Sequence, residues 1–316
     1  MNLPTGVPLP FPLFLRREAI GAGLTDDALA RATRSGDIIR VRHGAYSDGP
    51  WWAQATSDEQ HRETALCLVR SYSSPVLLSH TSAAVMHGLP TWGQDLSDMH
   101  LTHLTPASGR THAGVVHHRG VCRVGDITRV DGVLVTSVAR TIVDAAALVD
   151  VERGLIMADA ALHRGLVLPD QLERQYVQQD HDPRTLHVRL VVRRADGRSA
   201  SPGESRSRHL FWTQGLPTPV LQYAVHDHRG RLIGTVDFAW PELGVIVEFD
   251  GLTKYRTLLR VGESPEDAVI REKLREDRIR EATGWTVVRI TWADLARPAL
   301  TADRIRRAMY RRPISA

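Results

Sequence analysis

A multi-domain α+β protein, within the broad α/β class, is what the sequence predicts, and three observations predict it. Two short helical stretches and a paired-strand pattern fill residues 1–50, and mixed helical and strand patterns run through residues 57–180. After Ser201 a helix, three strands, a helix and a strand follow one another, so residues 200–316 read as a third domain. With 316 residues there is room for separate cores, and 42% apolar and 24% charged residues argue against large-scale disorder.

No apolar run reaches the roughly 20 residues a membrane helix needs. The stretch Val7 to Leu15 is broken by prolines and follows no basic segment, so no leader is expected and the location predicted is cytoplasmic, with no membrane contact. Cys67 and Cys122 stand far apart and in no metal or redox spacing, which predicts two separate thiols. A net charge of +4 leans toward a polyanionic partner without requiring one. Of the 40 basic residues only Lys254 and Lys273 are lysine, so a lysine here stands out against an arginine background.

Arg16 to Ala22 predicts a first helix that Gly23 breaks. Thr25, followed by Asp26 and Asp27, is an N-cap with acids in the first turn of a second helix ending at Ser35-Gly36. Ile38 to Arg42, a turn at His43-Gly44 and Ala45 to Ser47 make a short hairpin. Helix, turn, helix and wing is the order of a winged helix-turn-helix. In that reading Arg31 and Arg34 lie by the major groove while Arg40 and Arg42 reach phosphates from the wing. Asp26 and Asp27 oppose it, because they place negative charge at the helix end that approaches DNA. The run GLTDDALARATRSGDIIRVRHGAY resembles the N-terminal domain of AbiEi-type antitoxins. That resemblance implies operator binding, autorepression and a cognate toxin as protein partner.

In the middle, Trp51 to Thr56 reads as a linker. Ser57 to Tyr72, His80 to His87, Ser137 to Leu148 and Val151 to His163 read as helices, with strands at Met99 to Leu104 and Val115 to His118. The segment resembles the same antitoxin-type proteins less specifically and reads as a scaffold. His100, His103, His112, His117 and His118 do not suggest a metal site. His117 and His118 point to opposite strand faces and no carboxylate stands at ligand spacing, which leaves exposed polar histidines as the expectation.

His181 to Ser201 is rich in Asp, Arg, Gly and Ser and predicts an irregular boundary. Beyond it come a helix (Pro202 to Gln214), strands (Val220 to His226, Arg231 to Trp240, Val245 to Asp250), a helix (Pro265 to Thr283), a strand (Trp285 to Thr291) and a closing helix. This αβββαβ order is that of a restriction-endonuclease-like core. If Pro241 to Gly244 is a four-residue hairpin loop, Trp240 pairs with Val245 and Asp237 falls opposite Glu248. Period two then adds Asp250 to the same face. Three neighbouring carboxylates repel unless a cation neutralises them, and hard oxygen ligands suit Mg²⁺ or Mn²⁺, which can generate hydroxide and stabilise a scissile phosphate. Each acid has an ordinary alternative as a solvated strand-end residue. Glu204 divides evenly between a capping-box residue of Ser201-Pro202-Gly203-Glu204 and an extra metal ligand.

SPGESRSR, VDFAWPELGVIVEFDG, the pair Lys254-Tyr255, REKLREDRIRE and GWTVVRITWADL resemble the endonuclease-like domain of very-short-patch-repair enzymes and the PD-(D/E)xK superfamily. The resemblance implies that Asp237 and Glu248 are its metal-binding acids. Asp250 stands where the superfamily has its lysine, so Lys254, one short turn beyond, and Lys273, on a helical stripe with Asp277 and Arg280, are the candidate catalytic cations. Arg280 is the DNA-contacting candidate of that stripe, whose opposing reading is a solvated charged helix. Two functions remain open: a Mg²⁺-dependent endodeoxyribonuclease, plausible in phage defence or DNA processing, and a non-enzymatic DNA-binding autoregulator with an inactive nuclease fold used for binding or as a homodimer contact.

Overall fold

The computed structural model describes residues 11–103, 110–119, 121–179, 186–251 and 264–310. It is a mixed helix-and-sheet protein whose chain divides into two compact units, residues 1–157 with 167–192 and residues 158–166 with 193–316. Among the described residues no helix is long and apolar enough to cross a membrane.

The first unit opens with strand β1 (Leu13–Leu15), helices α1 (Arg16–Gly21) and α2 (Asp26–Ser35), and strands β2 (Ile38–Arg42) and β3 (Ala45–Asp48), the strands forming a sheet in the order β1-β3-β2. Thr25 caps α2 by accepting from the Ala28 amide at 3.2 Å, and Gly36 ends it at φ +84°. The helix buries Leu29 against Phe14, Ala19, Leu24 and Ile38, leaving its polar face in water. Sequence periodicity missed β1, because three residues are too few to show a period. The predicted linker is helix α3 (Gly49–Gln54), started by Asp48 accepting from the Trp51 amide at 2.7 Å.

Helix α4 (Ser57–Ser71) and strand β4 (Leu77–Leu78) lead into α5 (His80–Met86), followed by β5 (Met99–Thr102), β6 (Arg110–His112), β7 (Val115–His118), β8 (Ile127–Val130) and β9 (Val133–Thr136). These strands form a six-stranded sheet in the order β6-β7-β5-β4-β9-β8. Helices α6 (Val138–Ala146), α7 (Val151–His163), α8 (Pro169–Gln178) and α9 (Leu186–Arg194) follow, the division between units falling within α7. The stretch read as an irregular boundary thus contains α9, which forms because Val188, Val191 and Val192 make a buried stripe.

The second unit runs α10 (Pro202–Thr213), β10 (Val220–His226), β11 (Leu232–Trp240), β12 (Val245–Phe249), α11 (Pro265–Thr283), β13 (Thr286–Ile290), α12 (Trp292–Leu295) and α13 (Pro298–Tyr310). The sheet order is β10-β11-β12-β13, with β12 and β13 parallel and the other pairs antiparallel. One face packs Phe238, Trp240, Val247 and Ile290 against Phe211 of α10 and Ile305 of α13, while Ala239 and Ile246 on the other meet Ile279 of α11. Gly203 is required by close approach: a Cβ there would lie 2.0 Å from the Phe249 ring. Gly203→Ala is therefore expected to destabilise the chain by about 2 kcal/mol, read as a lower urea midpoint at unchanged slope.

Candidate functional site

Two sets of residues carry the functional expectations. In the first unit, the solvent face of α2 presents Asp27, Ala30, Arg31 and Arg34, all exposed, and Arg40 stands exposed on the wing with a guanidinium nitrogen 2.8 Å from His43 Nδ1. Asp26, which counted against DNA contact, is held by Arg16, whose Nε donates to its Oδ1 at 2.7 Å. The opposing charge at the start of α2 is thereby halved. Arg42 differs from the expectation: it is half-buried and donates to the Ala113 carbonyl at 3.0 Å, so it is not a free phosphate arm.

In the second unit, Trp240 pairs with Val245 and Phe238 with Val247, the register the hairpin loop predicted. The ladder stops there because Asp237 turns its carboxylate into the gap and accepts from the Phe249 amide at 2.8 Å. Glu248 accepts from Arg275 of α11 at 2.6 Å, and the same guanidinium reaches Glu272 at 2.6 Å and the Thr235 carbonyl at 3.0 Å. Arg275 is held well above the ordinary arginine range by its carboxylate partners, which outweigh the opposing effect of burial. Arg289 on β13 lies 3.7 Å from Asp250 and 2.5 Å from Glu276. Glu248 and Glu272 thus share Arg275, while Asp250 and Glu276 share Arg289.

Glu204 is buried, accepting from the Ala200 amide at 3.0 Å, the Ser201 hydroxyl at 2.8 Å and the Gln222 amide at 3.2 Å, while Ser201 caps the helix by accepting from the Glu204 amide. Among the described residues no three His, Cys, Asp or Glu side chains are arranged to hold a metal ion. Glu204, Asp237 and Glu248 each have a carboxylate oxygen engaged by a group of the chain and Asp250 lies 3.7 Å from Arg289, so a Mg²⁺ or Mn²⁺ ion there would have to displace these partners. Sequence reasoning missed Arg275 because an arginine in REKLREDRIRE is indistinguishable from its solvated neighbours until the helix is rotated into place, and missed Arg289 because the partner of a strand arginine is set by what packs across it.

The lysines fare differently from one another. Lys254 lies outside the described residues. Lys273, Asp277 and Arg280 are all exposed, and Arg280 pairs with Glu276 at 2.6 Å along the helix. The stripe expected to lie against the sheet therefore faces water, and Ile270 and Leu274 are exposed with it. Helix α11 turns Glu272, Arg275, Glu276 and Ile279 inward instead, because Ile279 is the apolar residue that fits the Ala239 and Ile246 surface.

The histidines also depart from expectation. His117 and His118 do take opposite faces, since His117 pairs beside Leu101 and His118 beside Thr102. They are not exposed polar residues, however. His100 Nδ1 lies 2.8 Å from His118 Nε2, the His80 ring stacks on His118 with centroids 3.5 Å apart, and His80 itself sits at φ +50°. Burial, reinforced by the neighbouring imidazoles, pushes His118 down to about 4, and burial does the same to His100. Near-parallel stacked rings aim their lone pairs in parallel planes rather than at one point, which suits packing and not metal ligation.

Comparison with known proteins bears on the first set. Residues 11–47 match the family model described as "Transcriptional regulator, AbiEi antitoxin". The matched residues span β1 to β3, the whole of the small sheet with both its helices. Over greater length the chain is similar to two Mycobacterium tuberculosis proteins, "Uncharacterized protein MT2308" of strain CDC 1551 / Oshkosh and "Uncharacterized protein Rv2248" of strain H37Rv. Each is 29% identical over 289 residues, covering 91% of this chain and 98% of the relative.

Proposed function

We propose that the protein is a DNA-binding transcriptional regulator of the antitoxin type, with a nuclease-like second unit in a non-catalytic role and a cognate toxin as partner. The observation that carries this reading is the coincidence of the antitoxin-regulator match with a winged fold whose second helix presents Arg31 and Arg34 to solvent. Side chains on that face and on the wing reach base edges and phosphates together, which is how a winged helix reads a major groove. Arg280 would add at most a sequence-independent contact, since it is exposed but spent on Glu276.

The test is binding to a duplex covering the DNA upstream of the protein's own gene. Arg31→Ala with Arg34→Ala is expected to weaken it by at least tenfold and to flatten the salt dependence by about two phosphate contacts. Unchanged affinity and slope would place recognition elsewhere. Copurification of the product of the adjacent gene tests the toxin.

A second reading, the metal-dependent nuclease, is supported by one observation: the β11–β12 register pairs Phe238 with Val247, the residues next to Asp237 and Glu248. Incubation with plasmid DNA in Mg²⁺, Mn²⁺ or EDTA separates the two. The regulator reading expects no metal-dependent nicking. Cleavage lost in Asp237→Ala and Glu248→Ala would establish the nuclease instead, and Lys254→Arg and Lys273→Arg would then identify its cation.

A further inference from the structure

The residue left over by the DNA reading is Arg42. It leaves the outer face of the wing and lines a cavity of about 470 Å³ within the first unit, together with Val41, Trp52, Gln60, His61 and Met99. That volume is within the range that takes a drug-sized molecule, roughly 300–1,000 Å³. The lining includes no Asp or Glu. The guanidinium has one hydrogen bond, to the Ala113 carbonyl, and forms no ion pair among the described residues. The remaining guanidinium N–H groups, at the solvent-exposed edge of the cavity, can take an anionic ligand.

The other polar groups sharpen the chemistry. His61 is spent, one ring nitrogen 2.9 Å from the Leu96 carbonyl and the other 2.9 Å from the Ser82 hydroxyl, so it offers no charge to a ligand. Burial also pushes it below the ordinary histidine range, which keeps it neutral. Gln60 spends its amide NH₂ on the Trp52 and Ala55 carbonyls, at 2.8 and 3.4 Å. Trp52, Met99, Leu96 and Val41 supply flat or apolar wall. One planar cation at the edge of a slot lined by both apolar groups and the polar Ser57, Thr64 and Ser97 fits a ligand with one carboxylate, a flat ring and a further polar substituent.

We infer that this cavity is an effector site for a small aromatic carboxylate held by Arg42 against Trp52. Occupancy acts on the wing directly. Arg42 is the last residue of β2, and the β2–β3 pairing is irregular between Arg40 and Arg42, so the strand end is where the ladder already yields. A carboxylate that draws Arg42 from Ala113 shifts the strand carrying Arg40, and couplings of this kind change a second affinity by roughly 5–150-fold. The regulatory half of the inference rests on the DNA-binding reading; the binding half does not.

The experiment uses the full chain and salicylate as probe, followed by titration calorimetry and by quenching of tryptophan fluorescence. Saturable one-to-one binding below 1 mM is expected, weakened at least tenfold in Arg42→Met and less in Arg42→Lys, with both variants keeping the wild-type circular dichroism spectrum (~10-fold is the loss of one charge-assisted contact). If Arg42→Met unfolds, Arg42→Lys and Trp52→Leu carry the test alone. No saturable binding, or binding indifferent to Arg42 and Trp52, overturns the site. With binding confirmed, salicylate should change affinity for the upstream duplex by at least fivefold. A bound probe with unchanged duplex affinity would overturn the regulatory coupling while leaving the site, and a chain that binds salicylate but no DNA would overturn the DNA reading alone.

Discussion

Arg275→Met should lower the stability of the folded chain by about 3 kcal/mol, the largest loss expected from any single change on the carboxylate face. The cost comes less from the bonds removed than from what they leave behind. Glu248 and Arg275 are 12% and 22% exposed at the side chain, so deleting the guanidinium strands a mostly desolvated carboxylate beside Glu272, with the Thr235 carbonyl losing its donor as well. Replacing both partners, Arg275→Met with Glu248→Met, should recover most of the stability, since a pair of apolar groups of similar shape leaves no buried charge. Chemical denaturation of the four proteins in a double-mutant cycle measures this. An Arg275→Met variant as stable as wild type would show that the network is a surface ornament worth a fraction of a kcal/mol.

Acidification is the second large effect. The His80, His100 and His118 stack folds around neutral imidazoles: burial holds His100 and His118 down to about 4 and His80 well below its ordinary value, with neighbouring imidazoles adding to the effect at His80 and His118. In the unfolded chain each binds a proton near pH 6.5. The stability they contribute is thus present above 6.5 and is lost as pH falls toward 4, because only the unfolded state gains protons in that window. Asp144 acts in the opposite direction. Its burial raises it to about 6 despite the Arg140 guanidinium, so the folded state takes up a proton before the unfolded one and recovers part of the loss. The net expectation is a fall of about 4 kcal/mol between pH 7.5 and 5.0. Urea midpoints at the two pH values should differ accordingly, and His100→Gln with His118→Gln should flatten the difference. A stack that titrates near 6.5 by NMR would contradict the burial argument.

How much of this was legible in the sequence depended on whether the signal was local. The capped helix from Thr25, the hairpin at His43-Gly44, the Ser201 cap on the Glu204 amide and the Trp240–Val245 pairing each follow from a handful of neighbouring residues, and each is where local chemistry placed it. Strand β1, with three residues, carries too little period to be read, whereas helix α9 has its Val188, Val191 and Val192 spacing in the sequence but lies in a stretch whose Asp, Arg, Gly and Ser content read as a boundary. Which way a helix turns is a different kind of question. REKLREDRIRE has charges on every face, and only the fit of Ile279 onto Ala239 and Ile246 decides that Arg275 faces Glu248 while Lys273 faces water.

The sequence by itself therefore determined the mixed α+β class, the helix-helix-hairpin order after strand β1, the αβββαβ order of residues 202–290 and the resemblance of residues 11–47 to antitoxin regulators. The tertiary structure alone decided that Arg42 turns into a cavity, that histidines from α5, β5 and β7 stack together, and that Glu248 and Asp250 on the second unit's sheet are met by arginines. The physical reason is range. Caps, turns and periodicity are settled within a few residues, whereas the partner of a charge is set by packing between segments as far apart as Glu248 and Arg275.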